Sequence, residues 1–237
     1  MNIEKSTLQY GWISALSLVI FTLVTWGLAM IAVPPAGPYC PGDCMEYPFR
    51  DLLSWYPRDY YWMYLAVFQL FAFIMFLIAN HYAVRKEHKA FSFTGLSFGL
   101  ISAIVLLVAY YLQFAVVPIS MMKEETEGIA LLTQYNGHGI FIAMEELGYI
   151  CMSISFFFLG FSFSVKIPGE RAIRWVLQAA FPLTILAFLI YTLKHGIDRS
   201  YRFEVAAISI NWIVCIVGGI LLTIHFRKKI KSQHSSS

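Results

Sequence analysis

The chain has 237 residues, of which 59% are hydrophobic and only 13% are charged. Soluble domains carry about 25% charged residues, so this composition excludes a soluble domain with an ordinary polar surface. The net charge of +3 is small, and no basic run with exposed aromatic residues indicates a nucleic-acid partner. Lipid must cover much of the exterior, and the bilayer is the partner that the composition predicts.

Six apolar stretches are long enough to cross a membrane, because a spanning helix needs about 20 apolar residues. They are Gly11–Val33, Tyr60–Val84, Phe93–Val117, Gly139–Phe163, Ile173–Leu193 and Phe203–Phe226. The first is longer than the apolar core of a signal peptide, roughly 7–15 residues, and we expect it to be retained. The fold class is therefore all-α, a polytopic membrane bundle of six transmembrane helices. It forms one domain over residues 1–227, followed by a basic, Ser-rich tail over residues 228–237.

The distribution of Lys and Arg predicts the orientation. If the N-terminus is cytoplasmic, the inner segments contain 11 of these residues and the outer segments contain 6. Positive charge favours the cytoplasmic side. An even number of spans then places both termini in the cytoplasm.

The first outer loop contains the sequence Cys40-Pro-Gly-Asp-Cys44. A disulfide across this turn requires an oxidising compartment, and the outer side of the membrane provides one. Two free thiols are the alternative, while half of a metal site is disfavoured because no second Cys or His pair lies nearby. Cys151 and Cys215 lie within apolar stretches and are typical of small packing residues.

Both longer outer loops contain patterns that predict short amphipathic helices. Phe49, Leu52, Leu53 and Tyr56 follow the spacing of one helical face, and a second such helix is expected between residues 119 and 138. These segments are predicted to lie on the outer leaflet or to cap the bundle. Trp26 and Trp62 lie near span ends, where aromatic residues commonly anchor a helix at the membrane interface.

The fourth span contains two adjacent carboxylates, Glu145 and Glu146, in otherwise apolar surroundings. A charged group within a bilayer costs on the order of 3 kcal/mol or more, and such groups usually mark functional sites. Glu145 shares a helical face with His138, seven residues before it, and with Tyr149, four residues after it. Glu146 points about 100° away and is predicted to meet another helix.

Polar residues on other spans fall at a similar depth, so they can meet these acids. The predicted ligand-binding set is Glu145, Glu146, His138, Tyr149, Gln113, Gln69, Glu204 and Asn211. A cavity open to the outside is one interpretation. The alternative is a structural clamp, in which Glu145 or Glu146 pairs with Lys194 or Arg202.

Enzyme motifs give little support for catalysis. The chain contains no H-E-x-x-H, G-x-S-x-G or phosphate-binding Gly-rich sequence. The Glu145–Glu146 pair resembles the start of the CAAX-protease-like motif of intramembrane proteases, but the Arg and the later His residues of that motif are missing. The segment Gln134–Tyr149 resembles a segment of small, uncharacterised prokaryotic multi-pass membrane proteins. This resemblance implies a topology and no activity.

The sequence thus predicts a prokaryotic plasma-membrane protein with a Glu-centred polar cavity in the outer half of the bundle. A carboxyl buried there can exchange protons, so we expect binding or transport of a small ligand or ion, with no catalytic residues, metal or cofactor. One alternative is an enzyme that acts on a lipid-like substrate with Glu145 and His138 as an acid–base pair. Another is a structural or regulatory subunit without a site. The sequence does not indicate an oligomeric state.

Overall fold

The computed structural model describes residues 4–32 and 35–234 and is helical, with no strand in these ranges. The protein consists mainly of six long helices. They are α1 (Lys5–Ile31), α2 (Tyr61–Ala83), α3 (Lys89–Ala115), α4 (Ile140–Gly160), α5 (Pro168–His195) and α6 (Tyr201–His234). All six are long and apolar enough to cross a membrane, which confirms the predicted six-span architecture.

The last helix extends beyond its predicted end. We predicted a span that stops at Phe226, whereas α6 continues to His234. Most of the predicted tail therefore belongs to this helix, and residues 235–237 lie outside the described part of the chain.

The helices form a closed ring in which each helix packs on the next one along the chain. The ring closes between α1 and α6, and α4 also contacts α6 across it. Close contacts need small residues: an added Cβ at Gly95 would lie 2.9 Å from the carbonyl oxygen of Ser155 on α4. The Ser155 hydroxyl donates a hydrogen bond to the Gly95 carbonyl at 2.6 Å. Gly95 therefore allows α3 to pack closely on α4.

The start of α1 and the end of α6 lie at the same end of the ring, because six consecutive helices alternate in direction. Leu8, near the start of α1, and Phe226, near the end of α6, line one cavity there. We call this the terminal end. The opposite end contains Cys40 and Cys44, and we call it the disulfide end.

The loops of the disulfide end have a small apolar core of their own. It contains Ala36, Phe49, Leu52, Val117, Ile129 and Tyr135. The first predicted loop helix contains only a short 3-10 helix, Leu52–Trp55. The second loop contains one helical turn, Ile129–Leu132, preceded by the short helix Val117–Met122. These loops cap one end of the bundle with buried apolar side chains.

The predicted pairing of Cys40 with Cys44 agrees with the structure. Their Cα atoms lie 5.9 Å apart and the sulfur atoms are bonded. Cys151 and Cys215 are free and buried, in keeping with the predicted packing role.

Candidate functional site

A cavity of about 400 Å³ lies at the disulfide end between α1, α2, α4 and α6. Glu145 of α4 and Glu204 of α6 line it, although only 1% and 6% of their surfaces are exposed. Met30 and Val205 belong to the lining as well and are exposed, so the cavity opens between α1 and α6. The structure thus joins two acids that the sequence placed on different spans.

The carboxyl groups of Glu145 and Glu204 lie close to each other, and the Tyr110 hydroxyl lies near Glu145. Neither acid forms an ion pair with a described residue. One oxygen of each, Oε1 of Glu145 and Oε2 of Glu204, has no hydrogen-bond partner in the described chain. Two neighbouring carboxylates repel strongly in an apolar site. The pair therefore requires a shared proton or a bound cation.

A chain of hydrogen bonds supports the floor of the cavity. The indole N–H of Trp212 donates to the Tyr149 hydroxyl at 3.1 Å, and the hydroxyls of Tyr149 and Tyr110 lie 2.9 Å apart. Asn211 donates to the Tyr149 carbonyl at 3.2 Å. Tyr149 and Asn211 were both predicted as ligand-binding residues, but they do not line the cavity; Tyr149 supports it through its bond with Trp212.

A third acid, Asp59, also lines the cavity, but it has partners. Its Oδ1 lies 2.8 Å from Arg58 Nε, and the Tyr135 hydroxyl donates to its Oδ2 at 3.3 Å. Burial raises the pKa of Tyr135, which keeps this hydroxyl a neutral donor. Unlike the Glu145–Glu204 pair, Asp59 needs no further cation.

Glu146 faces away from the cavity and forms an ion pair. Arg199, in the loop between α5 and α6, donates from Nη2 to Glu146 Oε2 at 2.9 Å. The predicted clamp is therefore present, but its cation is Arg199. Lys194 and Arg202 were the wrong partners, because the tight turn before α6 brings Arg199 over the Phe188 ring, 4.8 Å from its centroid.

The remaining predicted site residues lie outside the cavity. Gln113 connects α3 to the second loop, donating to the Leu132 carbonyl at 2.5 Å and accepting from the Gln134 backbone at 2.8 Å. Gln69 is buried in α2. His138 has an exposed side chain, so the structure does not bring it to Glu145 as an acid–base partner.

Three tryptophans that the sequence analysis did not assign to the site line the cavity: Trp26, Trp62 and Trp212. Trp26 and Trp62 were predicted as interface anchors, yet both pack edge-on against Trp212. The sequence of α6 contains a pattern that could have identified part of this wall, because Tyr201, Glu204 and Trp212 follow the spacing of one helical face. No local pattern points to the tryptophans of α1 and α2.

The described residues contain no group of three or more His, Cys, Asp or Glu side chains placed to hold a metal ion. The comparisons with known protein families, curated proteins and solved structures found no match to this chain.

Proposed function

We propose that this protein binds or transports a small ligand or ion with a positive charge, in exchange for a proton held by Glu145 and Glu204. The observation that carries the proposal is the pair itself: two buried, neighbouring carboxyls without a basic partner among the described residues, both lining a cavity. Intramembrane acids of this kind are characteristic of ion pathways and proton relays.

The proposed exchange uses one site for both charges. With the cavity empty, a proton lies between the two carboxyls and relieves their repulsion. When a cation enters, it takes over that role and the proton leaves to water. The Tyr110 hydroxyl, which lies near Glu145, stabilises the charged form of Glu145.

We further propose that the disulfide end faces the outside of a prokaryotic plasma membrane and that both termini are cytoplasmic. The distribution of Lys and Arg supports this orientation. The Cys40–Cys44 pair supports it independently, because a disulfide persists in an oxidising compartment.

Labelling with dicyclohexylcarbodiimide tests the exchange site without knowledge of the ligand. This apolar reagent modifies protonated carboxyl groups, and peptide mass spectrometry locates the product. We expect modification at Glu145 or Glu204, and protection when a monovalent cation is added. Glu146, ion-paired with Arg199, is the internal control on the same helix.

Two results would contradict the proposal. Equal modification of Glu145 and Glu146 would show that the pair is not a distinct protonated site. Labelling that neither sodium, potassium nor an organic ammonium ion reduces would show that no cation takes the proton's place.

A further inference from the structure

Part of the cavity wall is aromatic. The ring centroids of Trp26 and Trp62 lie 6.1 Å and 6.4 Å from that of Trp212, and both contacts are edge-to-face. Trp212 is held in place, since its N–H is bonded to Tyr149. Trp62 also packs against Tyr110 at 5.4 Å. The arc of rings is therefore fixed before any ligand enters.

The charges of the cavity select the sign of the ligand. Its described lining includes three acids and no Lys, Arg or His, and of the acids only Asp59 has a basic partner, Arg58. An anion would be repelled by the carboxyls, and a neutral molecule would not replace the proton that they share. Aromatic faces attract cations, Trp most strongly, so both parts of the cavity wall favour a positive ligand.

The size and composition of the cavity select the kind of cation. A volume of about 400 Å³ lies in the range of small-molecule sites, roughly 300–1,000 Å³, and exceeds what one metal ion needs. Hard cations take roughly six or more oxygen ligands, whereas most of this wall is aromatic or aliphatic. A small inorganic ion bound by the carboxyls would not fill the part of the cavity that the tryptophans line.

We propose that the ligand is an organic ammonium ion with apolar substituents, bound between the Glu145–Glu204 carboxyls and the arc formed by Trp26, Trp62 and Trp212. The inference rests on the proposed function and specifies the class of its ligand. The carboxyl pair neutralises the charge, while the indole rings contact the substituents that water solvates poorly.

Equilibrium dialysis of the purified full-length protein with radiolabelled benzyltrimethylammonium tests this assignment. We expect saturable binding that Trp26→Leu weakens about tenfold, because a cation–π contact is lost while an apolar side chain is kept. Trp62→Leu serves as a second variant if Trp26→Leu does not fold. Trp175→Leu is the matched control, since Trp175 is 62% exposed and lies outside the cavity; its binding should equal that of the wild type.

The outcomes separate this inference from the proposed function. If sodium protects the carboxyls from carbodiimide while benzyltrimethylammonium neither protects them nor binds, the exchange site stands and the organic ligand class is wrong. Binding that folded Trp26→Leu and Trp62→Leu variants retain at wild-type strength also overturns the aromatic site. If no cation protects the carboxyls, the proposed function itself fails.

Discussion

Arg199 and Glu146 are 53 residues apart in sequence and 2.9 Å apart in space. Their side chains are only 20% and 16% exposed, so the ion pair lies largely out of water. It ties the turn between α5 and α6 to α4 and thereby fixes the start of α6. Glu204 and Trp212 project from that same helix into the cavity.

Loss of this pair should reduce stability. Glu146→Gln leaves the Arg199 guanidinium partly buried without its counter-charge, at an expected cost of roughly 1–3 kcal/mol, below the cost of breaking a fully buried pair. Thermal melting of the purified variant in detergent measures the effect. The matched control is Glu87→Gln, whose pair with Arg85 is more than half exposed and should contribute little. Equal melting temperatures for the two variants would contradict the buried clamp.

Glu145 should behave in the opposite way. Glu145→Gln preserves the volume and removes one of two mutually repelling carboxyls, so the melting temperature should stay close to the wild-type value. Proton exchange should be lost, because the amide cannot share a proton with Glu204 and release it to water when a cation enters. Proteoliposomes with an entrapped pH indicator measure the exchange when benzyltrimethylammonium is added outside. A folded Glu145→Gln protein with wild-type proton movement would show that this carboxyl is not required.

The glycines provide a test of the helix packing. Gly95→Ala would place a Cβ 2.9 Å and 3.1 Å from backbone atoms of Ser155 and Leu159, and such overpacking costs about 1–3 kcal/mol. Gly27→Ala is the control, since no atom lies within 4 Å of the added Cβ, and it should melt at the wild-type temperature or above. A Gly95→Ala variant that melts like Gly27→Ala would refute the close contact of α3 with α4.

The sequence predicted the spans well because each is a long apolar run, and lipid imposes this requirement on every helix separately. The exception is the end of α6, where charged residues after Phe226 suggested a tail although they continue the helix. Glu145 and Glu204 were found in the same way, as charged residues in apolar segments.

The composition of the cavity wall was harder to predict. Trp26 and Trp62 lie near helix ends, where a tryptophan that anchors in lipid and one that lines a site have the same sequence context. Their role depends on which helices become neighbours, and that is set by the ring closure between α1 and α6. The partner of Glu146 was missed for a related reason, because the path of a short turn decides which of several nearby cations reaches the acid.

The disulfide should stabilise the loop more than the bundle. Cys40 and Cys44 are four positions apart, and closing so short a loop contributes at most about 2 kcal/mol. Cys44→Ser should therefore make the first loop more susceptible to proteolysis, while the helices melt near the wild-type temperature. Addition of reductant to the wild type should reproduce the effect and leave Cys44→Ser unchanged. Collapse of the helical signal in the variant would show that the loop is essential to the bundle.

The orientation in the membrane can be tested with one introduced thiol at each end. The natural cysteines do not interfere, because Cys40 and Cys44 are bonded and Cys151 and Cys215 are buried. We expect an impermeant maleimide added to intact cells to label Thr126→Cys, on an exposed loop of the disulfide end. Ser237→Cys, at the C-terminus, should react only after the cells are opened, since 11 of the 17 Lys and Arg residues lie on that side. Labelling of Ser237→Cys in intact cells, with Thr126→Cys protected, would invert the orientation and place the cavity near the cytoplasmic side of the membrane.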